Sequence, residues 1–278
     1  MVIDSHTHAW ETWPYNPVPD PGSRARVEQL LHEMAASGVD QAVLVSANIK
    51  NNPGNNEYVA KQVRRYPEQL HQFADVDSFW SASYHTPGAA ERLKDAAARY
   101  PMKGFTHYLK AEDDGSWLYS GEGLRFFEVA TDLKLIASLS CYPHQQVAVG
   151  KAAQCNPAVP ILIHHLGHPK VAHKAQLEQV IAAAQYPNIY LKLSGFYYAT
   201  AGPKWDFPYR DTFHTVHALF DAYGEKRLCW GSDYPVARQF MTYQQTIEAF
   251  RTHCNFIPVA SREMVMGKNM AHLLSVNH

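Results

Sequence analysis

The chain opens with VIDSHTH at residues 2–8, a short apolar run that leads straight into a His-x-His pair. The run predicts a buried β-strand, and because strand side chains alternate between two faces, His6 and His8 point to the same side. Two imidazoles that converge at one strand end can ligate a metal ion, polarise a carbonyl group or shuttle protons. An isolated His-x-His is more often a pair of structural histidines, so the rest of the chain decides between these functions.

That strand starts an alternation of strands and helices that runs down the chain. The first helical pattern ends at Gly38, a residue suited to the left-handed position after a helix, and residues 39–46 form a second buried strand. Six more strands are predicted at 70–76, 102–109, 135–140, 160–165, 189–194 and 227–233. Helices are predicted near 57–66, 89–100, 123–133, 145–154, 175–186 and 211–223, with extra C-terminal helices near 241–250 and 261–274.

Eight short apolar strands that alternate with helices predict the α/β class, with a parallel sheet closed into a single (β/α)₈ TIM-type barrel. The rival is an open doubly wound sheet. No Gly-x-Gly-x-x-Gly follows any of the strands, which removes support for its dinucleotide-binding form. A chain of 278 residues is ordinary for one barrel, and it has no linker or change of composition, so we predict one barrel domain over residues 1–278.

The composition indicates a small-molecule partner. The formal net charge is −1 and the isoelectric point is near 7.0, so no overall field attracts nucleic acid or an anionic membrane. Four cysteines without a Cys-x-x-Cys pair indicate neither a thiolate zinc site nor a disulfide framework. The chain shows no signal-peptide pattern and no apolar run near the ~20 residues of a membrane span, so we expect a cytoplasmic location. No feature indicates an oligomeric state.

Barrel enzymes carry their working residues at the carboxyl ends of the strands, and polar residues gather at those ends here. They are His6 and His8 on strand one, Thr106 and His107 on strand four, Ser140, Cys141 and Tyr142 on strand five, His164 and His165 on strand six, Lys192 and Ser194 on strand seven, and Asp233 on strand eight. A loop rich in proline and aromatic residues follows strand one at residues 10–22, and we expect it to border the same site.

Four motifs, in chain order, resemble those of the amidohydrolase superfamily. They are IDSHTH at 3–8, HLGHP at 165–169, LKLSG at 191–195 and WGSDYP at 230–235. Within that superfamily the chain resembles the amidohydrolase-2 type, and is similar to the lactonase branch that includes 2-pyrone-4,6-dicarboxylate lactonase and the sugar-lactone hydrolases. The resemblance runs from residue 2 to about residue 274 and implies the same barrel that the strand pattern predicts.

The resemblance implies a hydrolase that opens a small cyclic ester, either a sugar lactone or another catabolic lactone. Asp233 would be the general base that activates water, since an aspartate with an ordinary pKa of about 3.9 is ionised at neutral pH. His6, His8 and His165 would polarise the lactone carbonyl and stabilise the oxyanion, either directly or through a bound metal ion. His164 neighbours His165 on one strand and so points to the opposite face, and we expect it to lie outside the barrel.

The resemblance leaves two alternatives open for a metal. In the first, His6, His8, His165 and Asp233 are the ligands of one divalent ion, zinc. In the second, catalysis is metal-independent, as it is in some members of the lactonase branch. Metal-dependent amidohydrolases usually add a ligand from strand four or five, whereas strand five offers only Ser-Cys-Tyr at 140–142 here.

The strand ends also bear on the substrate. Dicarboxylate-binding relatives carry arginines after strands four and seven, because guanidinium pairs with carboxylate through two hydrogen bonds. The corresponding segments, GFTHY at 104–108 and GFYY at 195–198, have no arginine, which disfavours a dianionic pyrone. Aromatic walls with hydroxyl groups suit a neutral cyclic ester instead. The predicted substrate-binding residues are Tyr142, Tyr108, Tyr197, Trp13 and Lys192.

Two other functions are compatible with the same barrel. One is a metal-dependent decarboxylase or an amide hydrolase, although the decarboxylase relatives use a further histidine on strand five that this sequence lacks. The other is a noncatalytic ligand-binding barrel. The joint presence of His6, His8, His165 and Asp233 disfavours it.

Overall fold

Eight parallel strands form the centre of the protein. The structure, a computed structural model, describes residues 1–15 and 18–276. The strands are β1 Ile3–Thr7, β2 Gln41–Val45, β3 Leu70–Asp75, β4 Met102–Tyr108, β5 Ile136–Ser140, β6 Ile161–Ile163, β7 Ile189–Leu193 and β8 Leu228–Trp230. They pair in chain order, and a parallel bridge joins the end of β1 to the segment after β8. The predicted (β/α)₈ barrel is confirmed.

Helices connect the strands and cover the sheet. They are α1 Val27–Ser37, α2 Asn55–Arg65, α3 Ala89–Arg99, α4 Gly121–Asp132, α5 Gln146–Cys155, α6 Lys174–Ala182, α7 Phe196–Ala199, α8 Phe213–Tyr223, α9 Tyr243–Arg251, α10 Val259–Glu263 and α11 Asn269–Val276. The last three follow β8: α9 matches the predicted helix near 241–250, and α10 and α11 lie where one helix was predicted near 261–274. The described part of the predicted loop at 10–22 has no helix or strand, and residues 16 and 17 lie outside the described residues. Among the helices of the described chain, none is long and apolar enough to cross a membrane.

Two strands end two or three residues before their predicted ends. β6 ends at Ile163 and β8 ends at Trp230, in each case before the polar residues that follow. The backbone leaves the strand direction there, because φ is 46° at His165 and 60° at Asp233. These two side chains are therefore not bound by the alternation of a strand.

Two apolar layers stabilise the barrel, one inside the ring of strands and one between the strands and the helices. The inner layer contains Ile3, Val43, Val45, Phe73, Ile136, Leu162 and Cys229, with Met270, Leu273 and Leu274 of α11 packed against them. The outer layer includes Leu44, Phe105 and Leu191 of the strands and Leu30, Phe126 and Val216 of the helices. Gly267, just before α11, lies against the start of β1, so this helix closes the amino-terminal end of the barrel.

The barrel closes through backbone hydrogen bonds between the end of β1 and the segment after β8. The N–H of Asp233 donates to the carbonyl of His6 at 2.9 Å. The N–H of His8 donates to the carbonyl of Tyr234 at 2.6 Å. This closing seam therefore contains the residues that the sequence predicts for the active site.

Asp4 secures the seam from within. Its Oδ1 accepts hydrogen bonds from the backbone N–H of Ser232 at 2.9 Å and of His6 at 3.1 Å, and its Oδ2 accepts one from the Tyr243 hydroxyl at 3.0 Å. Burial raises the pKa of Asp4 to about 6, against the opposing effect of these hydrogen bonds, so the side chain is ionised at neutral pH. A buried carboxylate thus joins β1, β8 and α9.

We expect Asp4→Asn to lower the free energy of unfolding by about 1–3 kcal/mol, the usual cost when a buried group loses its partner. One carboxylate oxygen becomes an amide NH₂ group, which leaves either the Tyr243 hydroxyl or the backbone N–H groups of Ser232 and His6 without their acceptor. Urea denaturation followed by circular dichroism measures the change. Tyr243→Phe removes only one of the three hydrogen bonds and should cost less. An Asp4→Asn variant as stable as the wild type would contradict the role of Asp4 in closure.

Candidate active site

Three histidines and one aspartate meet at the carboxyl ends of the strands. His6 and His8 come from the end of β1, His165 follows β6 and Asp233 follows β8. Oδ1 of Asp233 lies 3.6 Å from Nε2 of His6, 3.4 Å from Nε2 of His8 and 3.9 Å from Nε2 of His165. All four side chains are buried. The structure therefore brings together every residue that the sequence predicts as catalytic.

The prediction that His164 lies outside the barrel is wrong. Its ring centre lies 4.5 Å from that of His6, and its Nε2 lies 2.7 Å from the Ser138 hydroxyl. Strand alternation does not extend to this pair, because β6 ends at Ile163 and His165 has a left-handed backbone. Both neighbouring histidines consequently face the centre, where they and His6 offer three ligand atoms close together.

Asp233 is held as an ionised carboxylate with one oxygen already occupied. Its Oδ2 accepts hydrogen bonds from the hydroxyl of Tyr197 and, at 3.0 Å, from that of Tyr198. Burial raises the pKa of this carboxyl, but the neighbouring imidazoles of His165 and His8 and the hydrogen bond from Tyr197 outweigh it, so the pKa lies below its ordinary value. Oδ1 is the oxygen that remains free to accept a proton.

The backbone of Asp233 is strained and firmly held. Its φ of 60° lies in the left-handed region, which costs a non-glycine residue about 1–2 kcal/mol. Its N–H donates to the carbonyl of His6, and its own carbonyl accepts from the N–H of Ala237 at 2.9 Å. The surrounding structure thus imposes the direction in which the carboxylate points.

The second ring nitrogen of each imidazole has a different partner. Nδ1 of His8 lies 2.7 Å from a backbone carbonyl of β2, and Nδ1 of His165 lies 2.9 Å from the Ser194 hydroxyl. Nδ1 of His6 lies 3.1 Å from Nζ of Lys192. Burial lowers the pKa of His165 to about 4 and holds the pKa of His6 well below its ordinary value. Both of these rings are therefore neutral at pH 7.

Three of the four predicted ligands fit a divalent ion in chemical type and in separation, whereas His165 falls in a separate group with His6 and His164. His6, His8 and Asp233 offer ligand atoms that all lie within 4.8 Å of one another. Two imidazole nitrogens and one carboxylate oxygen are typical donors for zinc. His8 also has the usual second partner of a ligating histidine, a carbonyl that accepts its Nδ1–H. The residues thus form a candidate metal centre.

A cavity of about 480 Å³ opens beside this centre. It is lined by Phe79, Tyr108, Leu109, Ser140, Tyr142, Pro143, His144, His165, His168, Lys170, Gln176, Gln179 and Tyr198. Two predicted substrate-binding residues, Tyr108 and Tyr142, are part of its wall. Aromatic rings with a few polar groups and a volume in this range are typical of a small-molecule site.

The other three predicted substrate-binding residues are not among the residues that line this cavity. Trp13 packs in an apolar cluster of the loop after β1. Tyr197 and Lys192 are fully buried, the first with its hydroxyl on Asp233 and the second with its amine on His6. Substrate contacts for these three residues stay predictions.

The sequence interpretation overlooked three polar residues of the site. Ser138 lies on β5 with its hydroxyl 2.7 Å from Nζ of Lys192, and strand alternation from Ser140 is the signal that identifies it. His168 and Lys170 reach the cavity from the turn after β6. Their placement depends on left-handed backbone angles in that turn, which no periodic pattern predicts.

The protein is an eight-stranded barrel, and its buried histidines and aspartate lie at the carboxyl ends of the strands. Enzymes with this fold carry their active sites at that end of the barrel. The family model described as amidohydrolase matches residues 3–276, and the chain belongs to the amidohydrolase family. It is 25% identical over 297 residues to an L-fucono-1,5-lactonase of Burkholderia ambifaria, with 99% of this chain and 96% of that protein covered. The predicted resemblance to the lactonase branch and the assignment as a hydrolase are confirmed.

Solved structures share the fold. An amidohydrolase from Burkholderia multivorans with bound zinc has a TM-score of 0.77 at 20% identity, with 99% of both chains covered. A protein from Pseudomonas putida described as a 2-pyrone-4,6-dicarboxylic acid hydrolase has a TM-score of 0.77 at 20% identity, covering 98% of this chain and 97% of that chain. The 2,6-dihydroxybenzoate decarboxylase from Rhizobium has a TM-score of 0.71 at 13% identity, covering 100% and 99%. At these identities the likeness is one of fold.

We expect Tyr197→Phe to raise the pKa of Asp233. The carboxylate loses a hydrogen bond that stabilises its ionised form, and hydrogen bonds to charged groups contribute about 1.5–3 kcal/mol, or roughly one to two pH units. Carbon-13 NMR titration of the Asp233 carboxyl measures the shift, with Asp233→Asn to identify the signal. Tyr190→Phe, which changes a tyrosine packed against the inner apolar layer, is the matched control and should leave the pKa unchanged. An unaltered pKa in Tyr197→Phe would refute this account.

Proposed function

We propose that the protein hydrolyses a small lactone and opens its ring by the attack of an activated water molecule. The observation that carries the proposal is the ionised Asp233, whose free Oδ1 faces three imidazoles beside a cavity of small-molecule size. A general base must lie within reach of the proton it removes, and it must be ionised. The similarity to an L-fucono-1,5-lactonase supports the reaction class.

Asp233 removes a proton from water in the first step. The proton passes to Oδ1 while the water oxygen forms a bond to the carbonyl carbon of the lactone. The carbonyl π electrons move to the carbonyl oxygen and give a tetrahedral intermediate with one negative charge. The hydroxyls of Tyr197 and Tyr198 hold Oδ2, so Oδ1 keeps its direction during the proton transfer.

The imidazoles stabilise the charge on the intermediate. A neutral imidazole with hydrogen on Nε2 donates to the oxyanion, and one preorganised donor of this kind typically contributes about 10²–10³-fold in rate. The ring C–O bond then breaks, and the leaving alkoxide takes the proton from Oδ1 of Asp233. The carboxylate returns to its ionised form, and the product is a hydroxy acid.

A divalent ion held by His6, His8 and Asp233 would supply Lewis-acid polarisation of the carbonyl and a lower pKa for water. The chain's own residues provide a proton acceptor and hydrogen-bond donors in the same place. Without such an ion, Oδ1 of Asp233 is the proton acceptor, because Tyr197 and Tyr198 occupy Oδ2.

The cavity favours a neutral, hydroxylated lactone. The rings of Tyr108 and Tyr142 offer apolar faces for stacking, and polar groups beside them offer hydrogen bonds. The one lysine in the wall, Lys170, already donates to the carbonyl of Tyr198, and no arginine lies among the lining residues. We therefore propose a sugar lactone or a similar neutral cyclic ester as the substrate.

The shared fold of 2,6-dihydroxybenzoate decarboxylase keeps decarboxylation as a second candidate reaction. The centre lacks the strand-five histidine that the decarboxylase relatives use, because β5 places Ser138 and Ser140 there. The expectations of a single domain, a cytoplasmic location and no nucleic-acid or membrane partner stay predictions.

We expect Asp233→Asn to lower kcat for lactone hydrolysis by at least about 10²-fold, the lower range for loss of a general base, while the fold is retained. Proton release from a panel of sugar lactones measures turnover, with spontaneous hydrolysis subtracted. Asp221→Asn, at an exposed position on α8, is the control. An active Asp233→Asn variant removes this residue from the base role. Release of carbon dioxide from aromatic carboxylates, without lactone turnover, would favour the second candidate.

Removal of metal should leave most of the hydrolytic activity intact. The reason is that Asp233 supplies the proton acceptor and the imidazoles supply the hydrogen-bond donors. Activity and metal content are measured together before and after chelator treatment. Loss of activity that zinc restores would show that the reaction depends on a metal.

A further inference from the structure

Lys192 is a buried lysine without a role in the steps above. It is fully buried at the end of β7, although lysine is rarely buried unless it is paired. Its Nζ lies 2.7 Å from the Ser138 hydroxyl and 3.1 Å from Nδ1 of His6, and 5.6 Å from the ring centre of Phe73. Neither polar partner is a carboxylate. The amine thus reaches a catalytic imidazole from the side opposite to the reacting groups.

Three contacts together fix the position of the hydrogen on His6. In its protonated form the Lys192 amine has N–H groups and no lone pair, so Nδ1 of His6 accepts from it and has no hydrogen of its own. His8 donates its Nδ1–H to the carbonyl of Val45 at 2.7 Å, which leaves a lone pair on its Nε2. The Nε2 atoms of His6 and His8 are 3.2 Å apart, and a hydrogen bond between them requires the hydrogen on His6. Each contact agrees with the other two.

We propose that Lys192 is a positioning residue that keeps His6 in the tautomer with hydrogen on Nε2, so that His6 donates to the lactone carbonyl oxygen and does not ligate a metal ion. In the free protein the Nε2–H of His6 faces Nε2 of His8 at 3.2 Å and Oδ1 of Asp233 at 3.6 Å, and the carbonyl oxygen of a bound lactone takes their place as its acceptor. Ser138 anchors the amine from β5. The donor role of His6 rests on the proposed lactone hydrolysis, whereas the tautomer rests on the contacts alone.

The tautomer has a direct consequence for metal binding. A metal ligand needs a lone pair on Nε2, and a ligating histidine normally donates its other N–H to an acceptor. His8 satisfies both conditions, but His6 has the Lys192 amine where the acceptor belongs. The group formed by His6, His8 and Asp233 then loses one of its three ligands. We expect the wild-type protein to bind zinc weakly, and we expect the affinity to rise when the contact between Lys192 and His6 is removed.

Nitrogen NMR of the metal-free protein, labelled with ¹⁵N-histidine, tests the tautomer. The His6 signals are identified by their loss in His6→Gln, and couplings to ring protons distinguish Nδ1 from Nε2. We expect hydrogen on Nε2 and a bare Nδ1 in the wild type. Lys192→Met keeps the chain length without N–H groups and should show both tautomers. Ser138→Ala removes one partner of the amine but leaves its N–H groups and its contact with Nδ1 of His6, so His6 should keep the wild-type tautomer.

A hydrogen on Nδ1 of His6 in the wild-type protein would overturn the proposal, whether or not lactones are hydrolysed. This NMR measurement on the wild-type protein needs neither a variant of Lys192 nor a substrate. Conversely, failure of lactone hydrolysis with the expected tautomer would overturn the proposed function and leave the role of Lys192 in place.

Zinc titration with a competing chromogenic chelator gives a second readout that is independent of activity. We expect Lys192→Met to bind zinc about tenfold more tightly than the wild type, since changes behind a ligating histidine typically alter affinity 10–100-fold. His6→Gln should change the wild-type affinity little and should abolish the gain in Lys192→Met. His8→Gln should weaken binding in both backgrounds. Equal affinities of Lys192→Met and wild type, or equal losses in His6→Gln and His8→Gln, would overturn the proposal.

Discussion

The hydrogen bonds that join the end of β1 to the segment after β8 determine both the closure of the barrel and the geometry of its active site. The carbonyl of His6 accepts from the N–H of Asp233, and Asp4 binds the backbone of Ser232 just beside it. The residues that close the ring of strands also bear the imidazole and the carboxylate. Closing the barrel therefore brings the carboxylate and the imidazole together in one step, and the strained φ of Asp233 is sustained by the same contacts.

Burial acts in opposite directions on the two kinds of titratable group in the centre. It disfavours the charged form of an imidazole, so His6 and His165 stay neutral and can donate or accept hydrogen bonds. It also disfavours an ionised carboxyl, but two phenols and the surrounding imidazoles reverse that effect for Asp233. One ionised base among neutral rings is the arrangement that water activation at neutral pH requires.

Three imidazoles with the same intrinsic chemistry differ here only in the group behind them. The partner of Nδ1 is a backbone carbonyl in His8, a serine hydroxyl in His165 and an amine in His6. The partner of Nδ1 decides whether Nε2 carries a hydrogen or a lone pair. The pattern of partners, rather than the number of histidines, consequently decides which ring can hold a metal and which can polarise a carbonyl.

The amino-acid sequence by itself determined the barrel and the principal groups of its centre. Local periodicity is a property of one segment, so the alternation of apolar residues was enough for eight strands, and motifs at their ends were enough for His6, His165 and Asp233. The prediction from strand alternation was wrong for His164, because the backbone after β6 turns through left-handed angles and no longer alternates. The tertiary structure alone decided that the Tyr197 hydroxyl meets Asp233 and that the Lys192 amine meets His6. Those pairs join distant segments, and their distances depend on strand register, closure and turn angles, which no pattern within a single segment specifies.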